Sequence, residues 1–393
     1  MSDIVIIGAG VVGTATAHAL AARGITDITI LDRDSVGSGG TGKSAGIVRC
    51  HYGVSSVAAL ALASLEFFEN AEADLGQGIG FEQVGYLVGV GPENLEPFRA
   101  SLANQRCLGI ETHEIGHEEV AAMWPSAYLE DFATFCFEPR GGYGDGYATA
   151  QALAASLRAK GVTIRQGAKV TEIVVDGDKV AGVRLADGEI VPAGMVVVAA
   201  GAWSVPLVSP LGITLPIQPI WVQEVLIHPV ADLGSPPVLS ALVAKQYVHL
   251  RGSEMLFGTS SSGRSMTPID DPDVYPSRAT NETVELVVEK AMHRFPGIES
   301  PRIATTTTGV IDTTPDNNPI VSATGYAGLY IAAGMSGHGF KTAPALGRLM
   351  ADIMLDGETT LPHVVASEFR LSRYEEGEPL LSPFVYQGAT AIR

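Results

Sequence analysis

The chain has 393 residues, of which 46% are hydrophobic, 17% charged and 45 glycine; this excludes a disordered chain and fits a small-residue-rich α/β enzyme with a substantial core. A formal net charge of −18 argues against nucleic acid or an anionic membrane as a partner, and requires any anionic ligand to find a local cationic pocket. Three scattered cysteines (Cys50, Cys107, Cys136) form neither a disulfide framework nor a zinc pattern and suit a reducing compartment.

The segment Asp3–Ile7 is a short apolar run ending at a glycine turn, the pattern of a buried parallel strand. No basic leader precedes it and no run approaches the roughly 18 apolar residues of a membrane span, so a soluble cytoplasmic protein is expected. An Ala-rich helix over Val12–Arg23 stops at Gly24, and Ile28–Leu31 is a second buried strand. Strand, glycine turn, helix and strand within about thirty residues open a doubly wound fold. Ser55–Leu75 reads as a helix, whereas Gly76 to Pro139 shows no regular period. A helix returns at Thr149–Lys160, followed by short strands at Val162–Arg165, Lys169–Val175, Val180–Leu185 and Glu189–Val191. Asp176-Gly177 and Asp187-Gly188 mark the hairpins between them. Met195–Ala200 is a fully apolar strand. Trp221–His228, Val238–Leu250 and Met255–Phe257 alternate enough to predict a broad antiparallel sheet. Glu282–Phe295 is an amphipathic helix, Leu329–Ala333 a last buried strand, and Ala343–Leu355 a last helix with Pro344 in its first turn. Residues from Leu361 onward are expected to wrap over the surface.

Gly8-Ala9-Gly10-Val11-Val12-Gly13 has dinucleotide-binding spacing. The first glycine permits the tight turn, the second lets backbone approach a pyrophosphate, and the third lets the helix pack on the strand. Asp32 ends the second strand, 19 positions after Gly13, where a carboxylate can hold a ribose 2′-OH and repels a 2′-phosphate. NADP is therefore disfavoured, and this motif alone leaves FAD and NAD open. Far along the chain Gly334-Met335-Ser336-Gly337-His338-Gly339-Phe340-Lys341 forms a second glycine-rich loop before a helix. Its N–H groups could stabilise negative charge at the far end of an extended cofactor.

Four blocks together carry a resemblance: Gly8–Gly13 with Asp32, Lys43–Tyr52, Val197–Ser204 and Pro315–Lys341. In their order and spacing the chain resembles the D-amino-acid oxidase-like flavoenzymes, and within them the sarcosine oxidase and dimethylglycine dehydrogenase branch. The resemblance implies an α/β fold, with a Rossmann-like doubly wound FAD domain (1–80, 140–215 and 309–393) and an inserted antiparallel-sheet substrate domain (81–139 and 216–308). It also implies Lys169 and Val170 beside the adenine, and Ala200, Gly201 and Trp203 near the cofactor. Motif and resemblance give a cofactor set of Gly8, Gly10, Val11, Val12, Gly13, Asp32, Arg33, Lys43, Ser44, Ala45, Ile47, Val170, Ala200, Gly201, Trp203, Gly334, Gly337, His338, Gly339, Phe340 and Lys341.

In similar enzymes an arginine and a lysine clamp the substrate carboxylate over the flavin, and they map here onto Arg49 and Lys341. Arg offers a carboxylate a planar fork and Lys a point charge, so both are expected to position substrate. The implied reaction is oxidation of a small amino acid or N-alkyl amino acid to an imine, with oxygen or another electron acceptor completing the cycle. Two departures matter. Where monomeric sarcosine oxidases attach flavin through a cysteine, this chain reads Thr305-Thr306-Thr307-Thr308, and where dimethylglycine-type relatives use a histidine it has Lys43; non-covalent FAD is expected. The position of their oxygen-activating lysine aligns with Leu256, near Arg251 and Lys245, which leaves oxidase and dehydrogenase open. His113 and His117 are spaced for one helix face but lack a third ligand, so no metal is expected. Oxidation of a 2-hydroxy acid and a role as the FAD-bearing subunit of a larger complex remain alternatives.

Overall fold

A computed structural model describes residues 3–229, 233–259 and 265–387. Ile4–Ile7 is apolar and buried at all four positions, because Ile4 and Ile6 face a layer of helices and Val5 and Ile7 face a layer that includes Val170, Ile173, Val180 and Val183. It pairs in parallel with Ile28–Leu31 on one side and Met195–Val198 on the other. Thr163–Arg165 and Leu329–Ala333 extend this sheet in parallel, and Ile320–Ala323 closes it as an antiparallel sixth strand. The first helix, Val11–Ala22, is built mainly from Ala, Val, Gly and Thr, so another helix can come very close. Gly347 of the last helix approaches the Ala15 carbonyl so nearly that a Cβ there would lie 2.5 Å from it.

The last helix begins at Gly339, four residues before the expected start, which puts Pro344 inside it. Proline disrupts the ladder locally, and Ser64 of the helix Ser55–Leu75 repairs it. Its hydroxyl accepts from the Ala345 N–H at 3.0 Å and donates to the Thr342 carbonyl at 3.1 Å.

A second sheet of nine strands meets the loops that follow the first sheet's strands, with Ile303–Thr313 against Gly40–Lys43 and Gly201–Trp203. Its core is Gln218–Ile227 paired antiparallel with Ile303–Thr313 along its whole length, and then with Glu254–Thr259. The strand expected over Val238–Leu250 is two, Val238–Ala241 and Gln246–Arg251, joined by a turn ending at Lys245 with φ +50°. The stretch without a readable period contributes Tyr86–Val90, His113–Ile115 and Thr134–Glu138, with the helix Leu95–Cys107 between the first two. His113 is on a strand and His117 starts a short helix, so the shared helix face does not form. The expected hairpins appear as the three strands Val170–Asp176, Lys179–Leu185 and Ile190–Pro192. No helix among the described residues is long and apolar enough to cross a membrane.

The tail does not simply wrap the surface. Arg373 and Asp316, both with fully buried side chains, pair at 2.8 Å. Burial alone would raise the Asp316 carboxyl, but Arg373 more than offsets this and holds it below the usual range. The Leu380 N–H adds a bond to the same carboxylate at 2.9 Å and brings the chain end back to the molecule's main cavity. Removing one member of a buried pair strands the other charge. Arg373→Met is therefore expected to lower unfolding free energy by about 3–5 kcal/mol, measured by denaturant titration, whereas exposed Arg99→Met, on Glu114, should leave the unfolding midpoint almost unchanged.

Candidate active site

The first glycine turn is fixed by crowding. Gly8 has φ +110°, and a Cβ there would lie 2.4 Å from the Ala199 carbonyl oxygen; at Gly13 it would lie 2.0 Å from that of Gly8. Only bare backbone fits, so the turn sits flat on the strand Met195–Val198. Asp32 then joins turn and second strand: its two oxygens accept from the Ala9 N–H at 2.7 Å and the Asp34 N–H at 2.8 Å. Each oxygen keeps further acceptor capacity, and Asp32 lines the cavity. Thr41 accepts from the Val11 N–H at 3.0 Å and packs over the turn.

Beyond the turn, the Arg33 guanidinium lies 4.4 Å from the Trp203 ring and pairs with Asp273 at 2.6 Å. Trp203 donates to the same carboxylate at 2.8 Å. This trio ties the first sheet's loops to the loop after the second sheet's edge strand. Lys43 similarly donates to the Tyr275 hydroxyl at 2.5 Å.

The second glycine loop is held from beneath by Asp312, whose carboxylate accepts from the Gly334 N–H at 2.7 Å and whose carbonyl accepts from the Ser336 N–H at 2.9 Å. Burial pushes the Asp312 carboxyl up to about 6. His338 is buried, with Nδ1 3.1 Å from the Tyr52 hydroxyl, and burial pushes its ring well below the usual histidine range. Burial thus favours the neutral ring. Lys341, in the first turn of the last helix, is only 7% exposed, and its ammonium reaches the Gly337 carbonyl at 3.3 Å. A cation at a helix N-terminus opposes the dipole, and burial together with nearby Arg49 pushes the ammonium well below its usual range.

Arg49 follows the two-residue strand Ile47–Val48. Its guanidinium donates to the His51 carbonyl and lies 4.2 Å from the Tyr52 ring and 5.6 Å from that of Tyr86. Neither Arg49 nor Lys341 enters an ion pair among the described residues. Buried Glu138 feels Arg49, but bonds instead to the Cys50 N–H at 2.7 Å, and burial pushes its carboxyl up to about 7. The second sheet roofs this region: Val88, Ser240, Tyr247 and Glu224 form a row across its strands and all line the cavity. Glu224 accepts from the hydroxyls of Tyr247 at 2.8 Å and Thr307 at 3.0 Å, and burial raises it above the usual range.

These parts surround one continuous cavity of about 950 Å³, running from the Gly8–Gly10 turn and Asp32 to Gly337 and Lys341. Residues 3–353 match the family model described as FAD dependent oxidoreductase. The chain belongs to that family. This oxidoreductase is 29% identical over 95% of its length to the sarcosine oxidase subunit beta of Arthrobacter sp, covering 91% of that protein. It is 26% identical over 91% of its length to the mitochondrial dimethylglycine dehydrogenase of Rattus norvegicus, of which it spans only 43%. Among solved structures, L-proline dehydrogenase from P. horikoshii superposes with a TM-score of 0.88 at 27% identity, over 96% of this chain and 99% of that one.

Of the residues expected at the cofactor, all line the cavity except Gly13 and Gly334. Those two serve packing: Gly13 against Gly8, and Gly334, with φ +70°, against Thr314. Arg49 and Lys341 are at the same cavity. Leu256 is buried within the roof and does not reach the cavity; Arg251 is exposed, and Lys245 lines the cavity. Cys50 is buried, and burial pushes its thiol well up, which disfavours the reactive thiolate. Thr41, Tyr86, Glu224, Tyr247 and Asp273 were not foreseen. For Thr41 a signal existed in the glycine-rich run Gly37–Gly42, whereas the others depend on which strands meet.

The fit to FAD is physical: a bare-backbone turn with an acceptor carboxylate for the ribose lies at one end, and a second helix start at the other. Asp32→Ala removes an anchor of both turn and ligand, and is expected to weaken FAD about tenfold to a hundredfold, seen as loss of flavin absorbance on gel filtration. Glu138 holds its proton to higher pH when folded, so stability should fall between the ordinary carboxylate range and about pH 7. The contribution is about 1.4 kcal/mol per unit of raised pKa. Glu138→Gln should flatten that part of a stability–pH curve measured by denaturant unfolding.

Proposed function

We propose that this oxidoreductase converts the C–N bond of a small amino acid, or of an N-alkyl amino acid, to an imine. The observation that carries the reading is the pair of buried cations, Arg49 and Lys341, at one end of a flavin cavity with no ion-pair partner among the described residues. A substrate carboxylate supplies the missing charge. Its charge opposes the burial and the Arg49 repulsion that push the Lys341 ammonium below its usual range, so carboxylate binding favours the protonated lysine. The names of the relatives, which act on sarcosine, dimethylglycine and L-proline, support an amine whose nitrogen bears a carbon substituent.

Bound FAD would supply the hydride acceptor, and the protein's part is to orient the substrate's α C–H toward it. Arg49 and Lys341 fix the carboxylate. Tyr52 and Tyr86 hold the Arg49 guanidinium from its flanks. The neutral His338 ring adds no charge beside Lys341 and braces Tyr52. The roof residues keep water from the reacting carbon. FAD held without a covalent bond is favoured by the threonines at 305–308, whose 306, 307 and 308 hydroxyls all bond to protein atoms. Service as the FAD-bearing subunit of a larger complex is a second reading, favoured because the Arthrobacter relative is itself named a subunit.

Anaerobic addition of sarcosine, N,N-dimethylglycine and L-proline is expected to bleach the flavin spectrum for at least one, while matched 2-hydroxy acids do not. The opposite pattern overturns the amine assignment. Arg49→Ala and Lys341→Ala should each raise substrate Kd by about 30-fold or more, the 2–5 kcal/mol range for truncating one side of a buried charge contact. FAD content should be largely kept in both.

A further inference from the structure

Residues 380–387 form a strap along the cavity, bent at Pro383 and Phe384 and pinned at both ends. At one end the Leu380 N–H donates to Asp316 at 2.9 Å, and the Leu380 carbonyl accepts from the Asn318 amide at 2.7 Å. At the other, the buried Asn94 side chain accepts from the Gln387 N–H at 2.6 Å and donates back to the Gln387 carbonyl at 3.3 Å. Between the anchors Leu381, Pro383 and Val385 are exposed, though Leu381 and Val385 still border the cavity, while Ser382, Phe384 and Tyr386 are more covered. The strap is held against the protein on its Ser382, Phe384 and Tyr386 side, with the Ser382 hydroxyl accepting from the Phe384 N–H at the bend.

The inward side reaches the Arg49 end of the cavity. The Tyr386 hydroxyl is 3.2 Å from His51 Nε2, with the two rings stacked, and the His51 carbonyl is the acceptor for Arg49. Gly53, next to Tyr52, touches the strap so closely that a Cβ there would lie 2.0 Å from the Ser382 hydroxyl and 3.7 Å from the Phe384 ring. Phe384, Tyr386 and the roof's Val88 and Leu242 line this end of the cavity, where they oppose the carboxylate clamp with apolar surface.

We infer that the strap is a specificity wall, with Phe384 limiting the size and polarity of whatever group the substrate carries away from its carboxylate. Compact, uncharged groups fit, and long or charged ones meet an aromatic ring held by an anchored chain. The inference rests on the carboxylate-clamp reading above, but its test does not require turnover. Holoenzyme is titrated with acetate, butyrate and hexanoate, and Kd is read from the perturbation of the flavin spectrum. Arg49→Ala serves as the control for the clamp.

In Phe384→Ala the ratio of acetate Kd to hexanoate Kd should rise at least about tenfold, the range expected when a pocket gains room for added methylenes. Phe384→Leu should be intermediate. Gly53→Ala, which displaces the strap from below, should move the ratio in the same direction. An unchanged ratio in all three FAD-loaded variants overturns the inference. If no carboxylate perturbs the wild-type spectrum, the clamp fails and the wall falls with it. If carboxylates bind but no amine bleaches the flavin, the proposed reaction fails while the ratio still decides the wall.

Discussion

Burying two positive charges near one another is costly in two ways: each loses water, and each repels the other. Arg49 and Lys341 are in this position, one just after a short strand and the other in the first turn of a helix whose dipole also opposes it. The cavity's chemistry follows from how the protein tolerates that pair. Tyrosine faces surround the guanidinium, and the nearby Glu138 is turned toward the Cys50 backbone instead of closing an ion pair. A ligand carboxylate then meets cations already stripped of water. The free energy withheld from the folded state becomes available for binding.

The rest of the architecture supports this end by fixing the other. Crowding at Gly8 and Gly13 locks the turn to the sheet, and Asp32 locks the turn to the next strand. Asp312, at the end of the long strand Ile303–Thr313, holds the second glycine loop with its carboxylate on the Gly334 N–H and its carbonyl on the Ser336 N–H. One strand thus links the roof to the floor, and the carboxylates that hold the two glycine loops, Asp32 and Asp312, are themselves fixed by backbone N–H groups.

The parts legible in the sequence were those governed by local rules. Apolar runs bounded by glycine gave Ile4–Ile7, Ile28–Leu31 and Leu329–Ala333 almost to the residue, and the helix Ser55–Leu75 to the residue. What stayed hidden depends on partners distant in the chain. The start of the last helix at Gly339 was obscured because a proline inside a helix reads as a beginning, and its tolerance depends on Ser64, 280 positions earlier. The strands between 76 and 139 are short and pair out of chain order, Tyr86–Val90 with Thr134–Glu138 and with the distant Val238–Ala241, so no local period marks them. The tail looked unpatterned because its order comes from Asp316 and Asn94 rather than from its own sequence.

The chain passes between the two large sheets four times: before Tyr86–Val90, after Thr134–Glu138, before Gln218–Ile227 and after Ile303–Thr313. Four covalent crossings act like the stitches of a seam and resist the hinge opening that a single linker permits. Traffic in and out of the cavity must therefore use small local displacements, on a scale of side chains and loops. It also means that neither sheet corresponds to a contiguous stretch of gene, and recombination with a relative would have to exchange several segments at once to keep a matched roof and floor.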